Sequence, residues 1–157
     1  MIKQPIFQVD AFTSTLYTGN PAAVCPLEYW LDDTVMQLIA RENNLSETAF
    51  IVPDGKDYQI RWFTPNTEVD LCGHATLASA FVLFELSGHQ EQEIIFKSKS
   101  GVLTVKKQED LLQMDFPRLP FTRIEPNSDL IEAIGMAPDE TYQSKFDRLC
   151  IFNDAML

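Results

Sequence analysis

A chain of 157 residues holds one domain, or one domain and part of another. With 45% hydrophobic residues and eleven phenylalanines it can bury a sizeable core, which excludes a disordered chain. A formal net charge of −11 argues against nucleic acid or anionic membrane as the main partner. It leaves room for an anionic substrate, because local field outweighs total charge. The cysteines, Cys25, Cys72 and Cys150, are odd in number and widely spaced, with no CxxC pair. That pattern argues against a disulfide framework or a zinc site and fits a reducing cytoplasm. With only His74 and His89, a histidine-rich metal centre is excluded. No signal peptide is visible, and no apolar run reaches the roughly 20 residues a membrane span needs.

In chain order, Ile6 to Phe12 reads as a strand with Phe7, Val9 and Ala11 on one face. Thr18-Gly19-Asn20-Pro21 is a turn signal, and Ala22 to Cys25 follows as a buried strand. Asp32 or Asp33 can cap a helix running to about Glu42, with Val35, Met36, Ile39 and Ala40 as its inner face. Glu47 to Val52 reads as a strand, Asp54-Gly55 as a turn, and Tyr58 to Phe63 as the returning strand, with Tyr58, Ile60 and Trp62 on one face.

Asp70 to Phe84 is the most informative stretch. After Thr76 it is apolar on nearly every side, with small residues at 75, 78, 79 and 80. A helix apolar all round belongs inside a core. Strands are expected at Glu93 to Lys97, Gly101 to Lys106 and Leu111 to Phe116, separated by turns at 98–101 and 107–110. Strands on both sides of a central helix imply an α+β lobe, a curled, mostly antiparallel sheet wrapped around that helix. From Pro117 the texture changes to a proline-punctuated polar connector, a short helix from Asp129 to Ile134 capped by Asn127-Ser128, and a final strand, Leu149 to Phe152, that stops without a partner. The expected organisation is a lobe over 1–117 and, over 118–157, a linker and the start of a second lobe.

The chemistry concentrates at the mouth of the central helix. Its first turn carries unpaired N–H groups and the positive dipole end, a seat for an anion. Cys72, Gly73 and His74 decorate it. The helix terminus is expected to lower the Cys72 thiol pKa, to favour a neutral His74 ring, and, through Gly73, to let a ligand approach the backbone. Each residue also has a plainer reading: a satisfied structural histidine, a small buried thiol, and, for Asp70, a loop carboxylate rather than a partner for the ring. Glu47 opens an apolar strand, and period-two alternation puts it on the face of Ala49 and Ile51. A carboxylate facing a core is costly unless paired or protonated, and a carboxyl that takes up and releases a proton is what a shuttle needs. The plain alternative is a strand-edge glutamate in water. Gly19-Asn20-Pro21-Ala22 by itself means only a turn. No GxGxxG, P-loop or GxSxG pattern occurs, so dehydrogenase, kinase and serine-hydrolase readings have no support.

Val9-Asp10-Ala11-Phe12, Gly19-Asn20-Pro21-Ala22-Ala23-Val24, Asn43-Asn44-Leu45-Ser46-Glu47-Thr48-Ala49-Phe50, Ile60-Arg61-Trp62-Phe63-Thr64-Pro65 and Glu68 to Thr76 occur in this order. The chain thereby resembles the N-terminal half of the phenazine-biosynthesis-like (PhzF) isomerase family, relatives of diaminopimelate epimerase and proline racemase. The resemblance implies a cofactor-free, diaminopimelate epimerase-like fold of two similar lobes with the active site in the cleft between them. It places the family's general acid/base glutamate on Glu47, its substrate-binding Gly-His on Gly73 and His74, and its cleft-lining GNP motif on Asn20. It aligns Cys72 with the catalytic cysteine of the epimerase and racemase relatives, and leaves Asp70 as a further binding candidate. Family members are about twice as long, which implies a truncated chain of doubtful activity. Three functions follow: proton-transfer isomerisation of a small carboxylate metabolite through Glu47, Cys72-dependent racemisation or epimerisation, and a non-catalytic lobe that forms a homodimer through its bare interface.

Overall fold

Alternating or continuous apolar runs and short turns produce the strands, and one run of small residues produces the helix they curl around. A computed structural model of the chain describes residues 3–15, 17–116 and 118–153. It divides into two compact units, Met1–Phe116 and Pro117–Leu157. The residue at the expected boundary, 117, and the chain end beyond 153 lie outside the described residues.

In the first unit the elements are β1 (Phe7–Ala11), β2 (Asn20–Pro26), α1 (Asp33–Asn43), β3 (Glu47–Asp54), β4 (Asp57–Phe63), β5 (Glu68–Val69), α2 (Gly73–Phe81), β6 (Glu93–Ser98), β7 (Gly101–Gln108) and β8 (Leu111–Asp115). The sheet order is β1-β2-β3-β4-β6-β7-β8, with β5 added beside β4. Only β2–β3 and β4–β6 pair in parallel, so the sheet is mostly antiparallel. It curls around α2, which touches β1, β2 and β3 on one side and β8 on the other.

The two faces of the sheet bury different partners. Ala22, Val24, Ala49, Ile51, Ile60 and Trp62 pack against Ala75, Ala78 and Ala80 of α2. Cys25, Phe50, Val52 and Phe63 face the other way, onto Met36 and Ala40 of α1. Fully burying each large side chain of this set is worth about 1.5–3 kcal/mol. The small residues of α2 let the sheet approach the helix closely. Its two buried hydroxyls are satisfied within the helix: Thr76 Oγ1 donates to the Cys72 carbonyl at 2.6 Å and Ser79 Oγ to the Ala75 carbonyl at 2.7 Å. After Phe81 the helix widens into a π-helical turn, Val82–Leu86.

Some expectations need correction. The central helix is not enclosed on every side. Leu77 is half-buried and Phe81 is 42% exposed, one turn apart on a single stripe. That stripe floors a groove of about 800 Å³ between the free edges β1 and β8, lined also by Val9, Phe12, Leu111 and Leu112. Val35 is exposed, because only Met36 and Ala40 of α1 reach the sheet fully. Asp32 takes the N-cap place of α1 through its carbonyl, which accepts from Val35 and Met36, and its side chain makes no cap bond. Asp33 instead accepts from Arg61 at 2.8 Å.

The second unit contains β9 (Thr122–Ile124), α3 (Ser128–Ile134), β10 (Glu140–Gln143) and β11 (Arg148–Ile151), with an antiparallel sheet ordered β11-β10-β9. The terminal strand therefore has a partner: Thr141 faces Cys150 and Tyr142 faces Leu149 across the β10–β11 register. β9 and β10 are short and polar enough to have read as connector. The expected cap of α3 forms, with Asn127 Oδ1 accepting from the Leu130 N–H at 3.0 Å.

Candidate active site

The parallel register of β2 on β3 sets Ala22 beside Glu47. Glu47 therefore shares the face of Val24, Ala49 and Ile51, the face that meets α2. The extended Cys72 precedes the first helical residue, Gly73, and His74 turns into the interior, 9% exposed. The strand start and the helix start thus converge. Glu47 Oε2 lies 3.3 Å from His74 Nε2. Cys72 Sγ lies 3.4 Å from the second ring nitrogen, Nδ1, a contact in which either atom can carry the proton. One donor atom from each of Glu47, Cys72 and His74 falls within 4.8 Å of the others.

The carboxylate–imidazole approach is at ion-pair distance without hydrogen-bond alignment. Glu47 Oε2 and His74 Nε2 are both buried atoms with no hydrogen-bond partner among the described residues. Orphaned buried polar atoms are costly, and at a site they mark where a ligand or a moving proton belongs.

Cys72 departs from expectation. Burial pushes its thiol up to about 12; the Ala75 N–H pulls the other way, and the nearby Glu47 charge adds to the rise. The helix end is outweighed because the sulfur is desolvated and faces a carboxylate, so the residue is a neutral thiol near pH 7. Gly73 also differs. A Cβ there would sit 2.6 Å from Phe116 Cζ, so the space left by the missing side chain is taken by an aromatic ring.

Asn20 begins β2 two positions before Ala22 and so points to the Glu47 side of the sheet, half-buried. The Gly19 before it holds φ +95°, where a Cβ would lie 2.4 Å from the Ala11 carbonyl oxygen, so this turn is a backbone requirement. Asp70 is exposed on the bend between β5 and α2, apart from the Glu47–Cys72–His74 group. The polar run before Glu47 is structural: Asn44, at φ 52°, closes α1 by donating to the Ala40 carbonyl, and Asn43 Nδ2 donates to Thr48 Oγ1 at 3.1 Å. Phe116 was not legible as a neighbour of Gly73; only its place at the end of an alternating strand hinted at an inward ring. The groove between β1 and β8 is not lined by Glu47, Cys72 or His74.

A half-barrel sheet wound on one helix, with a carboxylate, an imidazole and a thiol meeting at the helix mouth, defines an epimerase-like class of fold. A hydroxyproline epimerase structure from Agrobacterium vitis shares that fold at a TM-score of 0.53 and 13% identity, over 80% of this chain and 46% of that one. The match narrows sharply within the class. Residues 9–147 match the sequence model of the phenazine biosynthesis-like protein family, PhzC-PhzF, and the chain belongs to that family. It is 51% identical to an uncharacterized isomerase of Pseudomonas aeruginosa, over 95% of this chain and 57% of that protein. A crystal structure of a PhzF-family protein from Enterococcus faecalis superposes at a TM-score of 0.89 and 47% identity, covering 98% of this chain and 59% of that one. The chain therefore spans a little over half the length of these relatives. None of the helices among its described residues is long and apolar enough to cross a membrane.

Proposed function

We propose that this chain is the proton-handling lobe of an isomerase that relocates a proton on a small carboxylate-bearing substrate without a cofactor. The observation that carries the reading is the Glu47 carboxylate held 3.3 Å from His74 at the N-terminal end of α2, with both facing atoms unpartnered. Glu47 takes a proton from a carbon of the substrate and returns it at another position of the same conjugated system. His74 fixes the carboxylate's position and relays or holds the proton at Nε2. The N–H groups of the first turn of α2 lie where substrate carboxylate or enolate charge is stabilised. Asn20, on the same side of the sheet, adds a polar contact. Relatives carry additional length, and in this reading that length supplies the opposite wall.

The Cys72-dependent racemase reading is weaker for a physical reason. A thiol raised to about 12 by burial is a poor base near neutrality. The deciding experiment adds the second lobe of a relative to this chain and follows solvent deuterium entering a carboxylate substrate by NMR. Glu47→Gln should slow incorporation by about 100-fold or more, while Cys72→Ser retains most of it. Full incorporation in Glu47→Gln with loss in Cys72→Ser would reverse the assignment.

A further inference from the structure

The same three side chains have a second chemistry. Carboxylate, imidazole and thiolate are the three ligand types zinc takes from proteins, at about 2.0–2.3 Å from the metal. Two ligands at tetrahedral vertices of such an ion stand about 3.3 Å apart, and Glu47 Oε2 and His74 Nε2 are 3.3 Å apart. Both atoms are buried and lack a hydrogen-bond partner, and the His74 side chain is only 10% exposed. Cys72 Sγ completes a set whose donor atoms all lie within 4.8 Å of one another, the one such group among the described residues. No linear motif announces it, because Glu47 comes from the start of β3 while Cys72 and His74 flank the start of α2.

We propose that Glu47, Cys72 and His74 together bind one Zn2+-type cation, with a fourth position left to water, and that the bound ion shuts the site to proton transfer. Binding forms a metal–sulfur bond and releases the thiol proton to solvent; no oxidant or reductant is needed. The ion then occupies the carboxylate oxygen and ring nitrogen that would otherwise exchange a proton. The metal site stands on donor identity and spacing alone. Only its inhibitory consequence rests on the isomerase reading.

The test uses the 157-residue chain, stripped of metal, and Co2+ as a spectroscopic stand-in for Zn2+. One equivalent of Co2+ should produce a thiolate-to-metal charge-transfer band that Zn2+ abolishes. The band should vanish in Cys72→Ser, survive in Cys150→Ser, and require at least about tenfold more metal in Glu47→Gln. A variant that misfolds is caught by circular dichroism. The unsubstituted chain offers an independent check, in which Zn2+ should move the ring resonances of His74 and leave those of His89 in place. No charge-transfer band, a band that persists in Cys72→Ser, or a Zn2+ response at His89 rather than His74 would overturn the proposal. Because the readout is metal binding, its failure leaves the isomerase reading standing, and loss of deuterium exchange leaves the metal site standing.

Discussion

At Gly19 and Gly73 the same residue type answers two different demands. Gly19 holds a positive φ, and an added Cβ would strike a backbone carbonyl at 2.4 Å. Neither problem can relax locally. Gly19→Ala should therefore cost about 2–4 kcal/mol, read from urea midpoints. At Gly73 the obstacle is the far end of the half-exposed Phe116 ring, at 2.6 Å. A ring at the surface can swing aside, so Gly73→Ala should cost less than about 1 kcal/mol. Equal losses at the two positions would show that Phe116 is held as rigidly as the backbone. The inward face of Glu47 was legible because strand alternation has a strict period of two. The Phe116–Gly73 contact was not, because packing between distant segments leaves no local signature. The Cys72 shift runs opposite to the sequence expectation for a related reason: a helix terminus can be read from sequence, whereas the desolvation that outweighs it depends on the finished core.

Among the elements, α2 shows how a uniform apolar run conceals a sided helix. Ala75 and Ala80 meet the sheet away from the groove, whereas Leu77 and Phe81 line the groove and Ala78 borders it. Enlarging the buried side, as in Ala80→Leu, should destabilise by about 1–3 kcal/mol through overpacking. Phe81→Ser, on the open stripe, should cost less than about 1 kcal/mol. Thermal unfolding of the two variants checks the assignment of faces. A second set of elements is tied by Arg61 of β4. Its guanidinium grips Glu68 of β5 through two bonds, at 2.7 and 2.9 Å, reaches Asp33 of α1 at 2.8 Å, and stacks over Trp30 and Phe63. Lys99 adds a contact to Glu68 at 2.6 Å. Arg61 and then Lys99 hold the Glu68 carboxyl down to about 2, from an ordinary 4.5. A depressed carboxyl stabilises the fold above its unfolded value and loses that contribution as pH falls through the folded one. Glu68→Gln should therefore be less stable than the parent near pH 6 by about 1–2 kcal/mol, after allowance for solvent screening. The difference should shrink as pH falls from 4.5 toward about 2. A pH-independent difference in denaturant midpoints would show that the carboxylate's charge is not what the network uses.

For the molecule as a whole, the first unit was largely readable and the second was not. Apart from the two-residue β5, strands of the first unit run for five to eight residues, some alternating and others, β2 and β3, continuously buried, and their turns carry glycine or clustered polar residues. Those of the second unit run for three or four residues and show no alternation to speak of, so the pairing of β10 with β9 and β11 could emerge only in three dimensions. The candidate site followed the same rule. Its members were each visible, but the meeting of β3 with the mouth of α2 depends on the parallel register that sets Ala22 beside Glu47. The chain spans a little over half of its relatives, so the most direct test reads that meeting in this chain itself rather than through turnover. The ring-nitrogen resonances of the two histidines, assigned through His89→Gln, should be compared before and after Glu47→Gln. Removing the carboxylate charge should move both nitrogens of His74 and leave His89 unchanged; a His74 ring indifferent to Glu47 would contradict the account.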